Sequence, residues 1–206
     1  MIKAIAAGAA GFCALALYDL SQLGRTPVIA VRLLGFAGYG CVAASVLLAF
    51  GSAPLQPLSF PVRTALFAAS GFMFLLLAYS VLIEIPLRCP RDPGRSRNGG
   101  TSGRRTYRSG TYRLCRHPGV LWFALMLAPQ APFRAAGFGI TAAALVAMDL
   151  MLVAFEDIVV FPRLFPDYRE YREEVPFLVP RFRRRGRGES AGRELEREGD
   201  EKNGAP

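Results

Sequence analysis

The chain has 206 residues, 52% of them apolar, and carries 25 Lys and Arg against 16 Asp and Glu, a net charge of +9. A soluble domain intersperses its charges. Here they collect in blocks between long apolar runs, which excludes an ordinary soluble fold and reads as an integral membrane protein of one domain, or one domain with a tail.

Ile2–Leu20 is the first apolar run, rich in Ala and Gly, with Lys3 at its start. A signal peptide also joins a basic residue to an apolar centre, but Lys3 stands alone and "ALALYDL" is an imperfect cleavage site, so a retained helix is expected. Val28–Phe50 holds one charge, Arg32, near its start, and Val62–Ile85 holds Arg63 and Glu84 only at its two ends. Ala135–Phe155 holds one carboxylate, Asp149. The last three runs are each long enough to cross about 30 Å of hydrocarbon at roughly 1.5 Å per helical residue.

Between the third and last runs, "RDPGRSRNGGTSGRRT" has no apolar periodicity and reads as a loop. The "YRSGTYRLCRHP" after it regains aromatic residues and is expected to pack against the membrane surface. Gly119–Ala128 is too short to span alone; extended to Pro132 it crosses at an angle, and "PQAPF" then serves as a tight connection. Residues 119–155 therefore read as a helical hairpin. Residues 156–182 mix charged and aromatic positions in a helical rhythm, as in an amphipathic cytoplasmic helix. From Arg183 the chain lacks core-forming residues except Leu195 and is expected to be disordered, with its arginine cluster favouring anionic lipid heads.

The predicted fold class is all-α, with about five transmembrane helices by length and hydropathy. Residues 1–85 hold three of them, 86–117 form a basic loop ending in Arg-His-Pro, 118–182 hold the hairpin and C-terminal region, and 183–206 form the charged tail. The arginines from Arg88 to Arg116, opposed only by Asp92, place that loop and the C-terminus in the cytoplasm, with the N-terminus outside a cell membrane. Topology accounts for the basic charge, and no RNA- or DNA-binding motif accompanies it, so no nucleic-acid partner is expected. The bilayer itself is the expected partner. The cysteines, Cys13, Cys41, Cys89 and Cys115, form no CxxC pair, and one histidine does not complete a zinc site with them; neither metal nor disulfide is expected.

Polar groups at membrane depth are costly and invite a functional reading. His117, the single histidine, stands at the foot of the fourth helix; Asp149 and Glu156 lie about two turns apart on nearly one face of the fifth. In a hairpin, His117 and Glu156 reach the same membrane level. Arg116 then adds a guanidinium to an imidazole and a carboxylate around one mouth, a set suited to a zwitterion. The plainer reading is that Arg116 and His117 contact lipid phosphates, that Pro118 suits a first helical turn, and that Glu156 and Asp157 mark the membrane exit.

"GTYRLCRHPGVL" resembles the G-x-Y-R-x-x-RHP-x-Y signature of the isoprenylcysteine carboxyl methyltransferase-like family of membrane methyltransferases. The acidic pair Glu156-Asp157 followed by "LFPDYREYREEVPFLVP" is similar to that family's F-G-x-x-Y-x-x-Y-x-x-x-V-P ending. The likeness covers 106–182. It implies S-adenosylmethionine-dependent methyl transfer at the cytoplasmic membrane face, onto a lipophilic or prenyl-cysteine-like carboxylate or similar acceptor. By position, Arg116, His117 and Pro118 would contact the cofactor, Gly110 and Tyr112 would shape the loop before them, and Glu156 would supply the cofactor-contacting acid. Tyr168 and Tyr171 would close the pocket. No covalent nucleophile is required, and Glu156 and Asp149 are the candidates for catalytic groups. The chain departs from the signature at Val120 and Trp122, which stand where the family has Tyr and Gly, and at Pro162, which interrupts a stretch that the family continues as helix. Two other functions fit the sequence: a non-catalytic accessory protein on the same scaffold, and a small transporter with Asp149 facing its pathway.

Overall fold

In the computed structural model the described residues are 1–24, 26–84 and 105–180. Cys89, most of the basic loop and the 183–206 tail lie outside them. Among the described residues the secondary structure is helical, with one isolated backbone pairing, Leu55 with Arg134. The helices are α1 (Ile2–Ser21), α2 (Val28–Ser52), α3 (Phe60–Ala78), α4 (Pro118–Leu127), α5 (Ala136–Phe155) and α6 (Tyr168–Glu174). Pro61 and Pro118 fall in the first turns of α3 and α4, where a missing N–H costs nothing.

Two helices do not stop where their α geometry ends. α3 continues through a π turn, Tyr79–Glu84, and α5 through a π turn, Glu156–Val160, and a last α turn, Phe161–Leu164. The second π turn corrects the expectation for Pro162: the helix passes through it. A wide turn just ahead of a proline relaxes the carbonyl that its ring would otherwise strike.

Among the described residues, four stretches are long and apolar enough to cross a membrane: Ile2–Ser21, Val28–Ser52, Phe60–Glu84 and Ala136–Leu164. Their outer faces carry large apolar side chains, such as Phe67, Phe72, Phe74 and Leu75 on α3. Inside, Phe12, Leu15, Phe123, Leu127, Phe138 and Leu145 form one core shared by α1, α4 and α5.

The α1–α2 contact is close because glycines face it. A Cβ on Gly11 would lie 2.8 Å from the Val42 backbone nitrogen and 2.9 Å from the Gly38 carbonyl oxygen, so only hydrogen fits. The Ser45 hydroxyl donates across the same seam to the Ala4 carbonyl at 2.6 Å.

At one end of the bundle a polar cluster ties four helices. Arg134 donates to the carbonyls of Ala53 (2.5 Å) and Phe50 (3.1 Å) and to Gln130 Oε1 (3.3 Å), while its guanidinium lies over the Phe50 ring. Gln130 in turn donates to Ser70 Oγ at 3.0 Å. The 3-10 segment Ala128–Phe133, which continues α4, reaches this end, where the Gln56 N–H donates to the Phe133 carbonyl at 2.9 Å. The opposite end holds the candidate site.

Candidate functional site

The site forms where three chain segments meet at the ends of α3, α4 and α5. The first is a 3-10 turn, Gly110–Arg113, that leads into Arg116 and His117 before α4 starts at Pro118. The second is the π turn with Glu156 and Asp157. The third is α6 and the extended residues after it. The backbone N–H of Arg116 donates to the Pro176 carbonyl at 2.9 Å, and that of His117 to the Phe177 carbonyl at 3.3 Å. The C-terminal segment thus lies directly on the Arg-His-Pro motif.

Asp157 is the hub. Its Oδ1 accepts from Arg116 Nη1 at 2.6 Å and from the Tyr168 hydroxyl at 2.5 Å, and Arg172 Nε stands 3.6 Å from Oδ2. Burial, followed by the bond to Asp157, pushes the Tyr168 phenol far above its usual range, so it stays a donor. In the sequence Asp157 is no more than the second half of an acidic pair. The π turn that begins at Glu156 changes the facing of each residue in it, and α-helical spacing does not anticipate that.

His117 is buried between aromatic rings. It stacks nearly parallel on Phe161 at 5.9 Å and meets Phe177 edge-on at 5.1 Å. Its Nδ1 is 3.9 Å from Glu156 Oε2, and its Nε2 is 3.5 Å from Asp157 Oδ1 without hydrogen-bond geometry, because that oxygen already serves two shorter bonds. Burial pulls its pKa below the usual imidazole value despite Asp157, and Arg116 pulls the same way, so it is neutral at pH 7. Among the described residues, two buried side-chain polar atoms lack a hydrogen-bond partner, His117 Nε2 and Arg116 Nε. Such orphans are uncommon and call for an explanation.

The other expected residues divide. Tyr171 donates from its hydroxyl to the Tyr112 carbonyl at 2.7 Å, joining α6 to the 3-10 turn, and Pro118 is fully buried. Glu156 faces α1, where its carboxyl and that of Asp19 are within hydrogen-bonding reach, a partner that nothing in the sequence singles out. Asp149 acts on Glu156 only through longer-range electrostatics. Trp122 turns toward α3, its Nε1 donating to Ser80 Oγ at 3.1 Å, and Val120 is packed in the interior.

Beside Arg116 lies a cleft of about 580 Å³, lined by Pro162, Phe165, Tyr168, Arg169, Arg172 and Glu173 among others. Arg116 and Tyr168 are the expected cofactor-contacting residues on its wall; His117 and Glu156 are not part of the lining. Thr106 and Arg108 clasp α6 and the Asp167 that precedes it. Burial works against the Asp167 carboxylate, yet hydrogen bonds from the Thr106 hydroxyl and N–H, with Arg108 nearby, hold it below the usual range. Arg108 also reaches Glu170 at 3.3 Å and Glu174 at 3.0 Å.

Set against family models, curated proteins and solved structures, the chain matches none.

Proposed function

We propose that the protein is an S-adenosylmethionine-dependent methyltransferase working at the cytoplasmic face of a cell membrane on a lipophilic or prenyl-cysteine-like carboxylate or a similar acceptor. The observation that carries this reading is the meeting of the two signature-like segments. Arg116 from the first donates to Asp157 from the second, at the oxygen that also accepts from Tyr168, and the backbone N–H groups of Arg116 and His117 donate to the Pro176 and Phe177 carbonyls.

The residues present suit the cofactor. The cleft volume falls within the range of small-molecule sites. Arg116, with its orphaned Nε, and Arg172 would hold a carboxylate, and the Tyr168 and Phe165 rings would pack an apolar or cationic group. Glu173 on the cleft wall would offer a carboxylate to an ammonium or sulfonium. When bound, the cofactor would supply an electrophilic methyl group for transfer to the acceptor. The chain's part is to orient, to exclude water and to place charge; His117, neutral and held between rings, binds rather than abstracts a proton.

The topology that goes with this function has five crossings, with α4 and its 3-10 continuation forming a hairpin with α5. The Leu55–Arg134 pairing at one end and the Arg116–Asp157 bond at the other support it. The arginines between Arg88 and Arg116 support a cytoplasmic site end.

Titration of the detergent-purified protein with S-adenosylmethionine tests the reading. The parent is expected to bind, and His117→Ala and Glu156→Ala to weaken binding about tenfold or more, as for lost contacts to charged groups. No binding by the parent overturns the reading. Binding untouched by both substitutions moves the site elsewhere. A non-catalytic accessory role draws on one observation, that Arg116 and Tyr168 both donate to Asp157 and so fix the C-terminal segment without a ligand.

A further inference from the structure

The third membrane helix ends in an acid that none of the contacts above employs. Glu84 is completely buried, a state that glutamates seldom reach without a partner. Among the described residues its hydrogen-bond partners are not basic. The Thr111 N–H donates to Oε1 at 2.9 Å, and the Thr111 hydroxyl donates to Oε2. Gly110 beside it has φ +59°, in the left-handed region, and a Cβ there would collide with Glu84 Oε1. The carboxylate therefore fills the volume that any other residue at 110 would claim, and it binds the start of the 3-10 turn.

That turn governs the residues after it. Tyr112 accepts the Tyr171 hydrogen bond through its carbonyl, Cys115 just beyond is 1% exposed, and Arg116 and His117 come next. The aim of Glu84 is set by the π turn Tyr79–Glu84, whose Ser80 also accepts from Trp122 of α4. α3 thus braces both the loop before the Arg-His-Pro motif and the helix after it.

We propose that Glu84 is a positioning residue of the site: from the end of α3 it fixes the Gly110-Thr111-Tyr112 turn and thereby holds Arg116 and His117 against Asp157. The expected effect on cofactor binding rests on the methyltransferase reading; the effect on the loop does not.

Cys115 reports on the loop directly. In a background with Cys13, Cys41 and Cys89 replaced by Ala, it is the one remaining thiol, and burial pushes it up to about 11, so freeing the loop raises both its access and its thiolate fraction. Glu84→Gln keeps both contacts, its amide oxygen accepting from the Thr111 N–H and its amide nitrogen donating to the hydroxyl. Glu84→Ala removes both. Glu84→Ala is expected to speed maleimide labelling of Cys115 about tenfold or more and to weaken S-adenosylmethionine binding by a similar factor, while Glu84→Gln stays within about twofold of the parent. The fluorescence of Trp122, the only tryptophan, should be unchanged in both, as the α3–α4 contact persists. Parental labelling in Glu84→Ala, or labelling of Glu84→Gln as fast as Glu84→Ala, overturns the proposal. Faster labelling in Glu84→Ala with rescue by Glu84→Gln, in a parent that binds no S-adenosylmethionine, upholds the positioning role and defeats the functional reading instead. Should Glu84→Ala fail to fold, Thr111→Val removes the hydroxyl contact alone; about threefold faster labelling supports the proposal and a parental rate overturns it.

Discussion

Arg116 Nη1 stands 2.6 Å from Asp157 Oδ1, with both side chains nearly removed from solvent, so the foot of α4 is joined to the end of α5 by a shielded ion pair. Removing one member of such a pair strands the other. Asp157→Ala is expected to cost about 3–5 kcal/mol and Asp157→Asn less, since the amide oxygen still accepts from Arg116 and Tyr168. Thermal unfolding in detergent micelles measures this. A midpoint for Asp157→Ala equal to the parent's would show that the pair carries no stability.

The buried imidazole predicts a pH dependence. Because burial holds the His117 pKa below its usual value, the unfolded chain takes up its proton more readily than the folded one. Its stabilising contribution is complete above the unfolded value, about 6.5, and is lost as pH falls through the folded value. The parent's unfolding midpoint should therefore drop more steeply below about pH 6.5 than that of His117→Asn, which has no imidazole to titrate. Parallel slopes would contradict a neutral buried His117.

The α1–α2 seam should discriminate between glycines. Gly11→Val forces a Cβ toward the Val42 and Gly38 backbones, which do not yield as side chains do, and about 1–3 kcal/mol of destabilisation follows. Gly40, on the same α2, has open space where a Cβ would stand, with nothing within 4 Å, so Gly40→Ala should leave the melting midpoint within experimental scatter. Equal midpoints for both variants would mean that the seam is looser than its distances imply.

At the far end, Gln130 connects Ser70 to Arg134 while fully buried. Gln130→Leu keeps the volume and strands both neighbours, at a cost of about 1–3 kcal/mol. It should leave the accessibility of Cys115 at the opposite end unchanged. Thiol labelling alongside a melting curve checks both halves of the prediction.

The spanning helices are legible in the sequence because hydrocarbon thickness imposes a length and charges gather at the ends: α2 begins at Val28 and α5 ends its regular part at Phe155, as the apolar runs imply. The local neighbourhood of Arg116 and His117 is legible as a border between basic loop and helix. The part that stays hidden lies in long-range partners. Glu84 reads as a helix-end marker because Thr111 comes only after an intervening loop, and Asp157 reads as the lesser of two acids because a π turn re-aims it. Trp122 stands out as a departure from the signature, yet its orientation depends on Ser80, a residue with nothing in its own surroundings to announce a partner.

Both membrane helices that bring an acid to this end of the bundle pass from α into π geometry there, at Tyr79–Glu84 on α3 and at Glu156–Val160 on α5, the latter followed by the α turn Phe161–Leu164. A π turn accommodates one residue beyond what an α turn needs, so each helix carries a surplus residue at the level of the candidate site. Deleting a single residue within Tyr79–Glu84, where no proline stands, would restore α geometry there, leave the apolar span long enough for the bilayer, and swing the residues after the deletion by roughly 100°. The membrane anchor and the site's alignment are therefore separable by the smallest possible change in chain length, and a protein shortened in this way would insert normally with its Glu84 carboxylate facing the wrong neighbours.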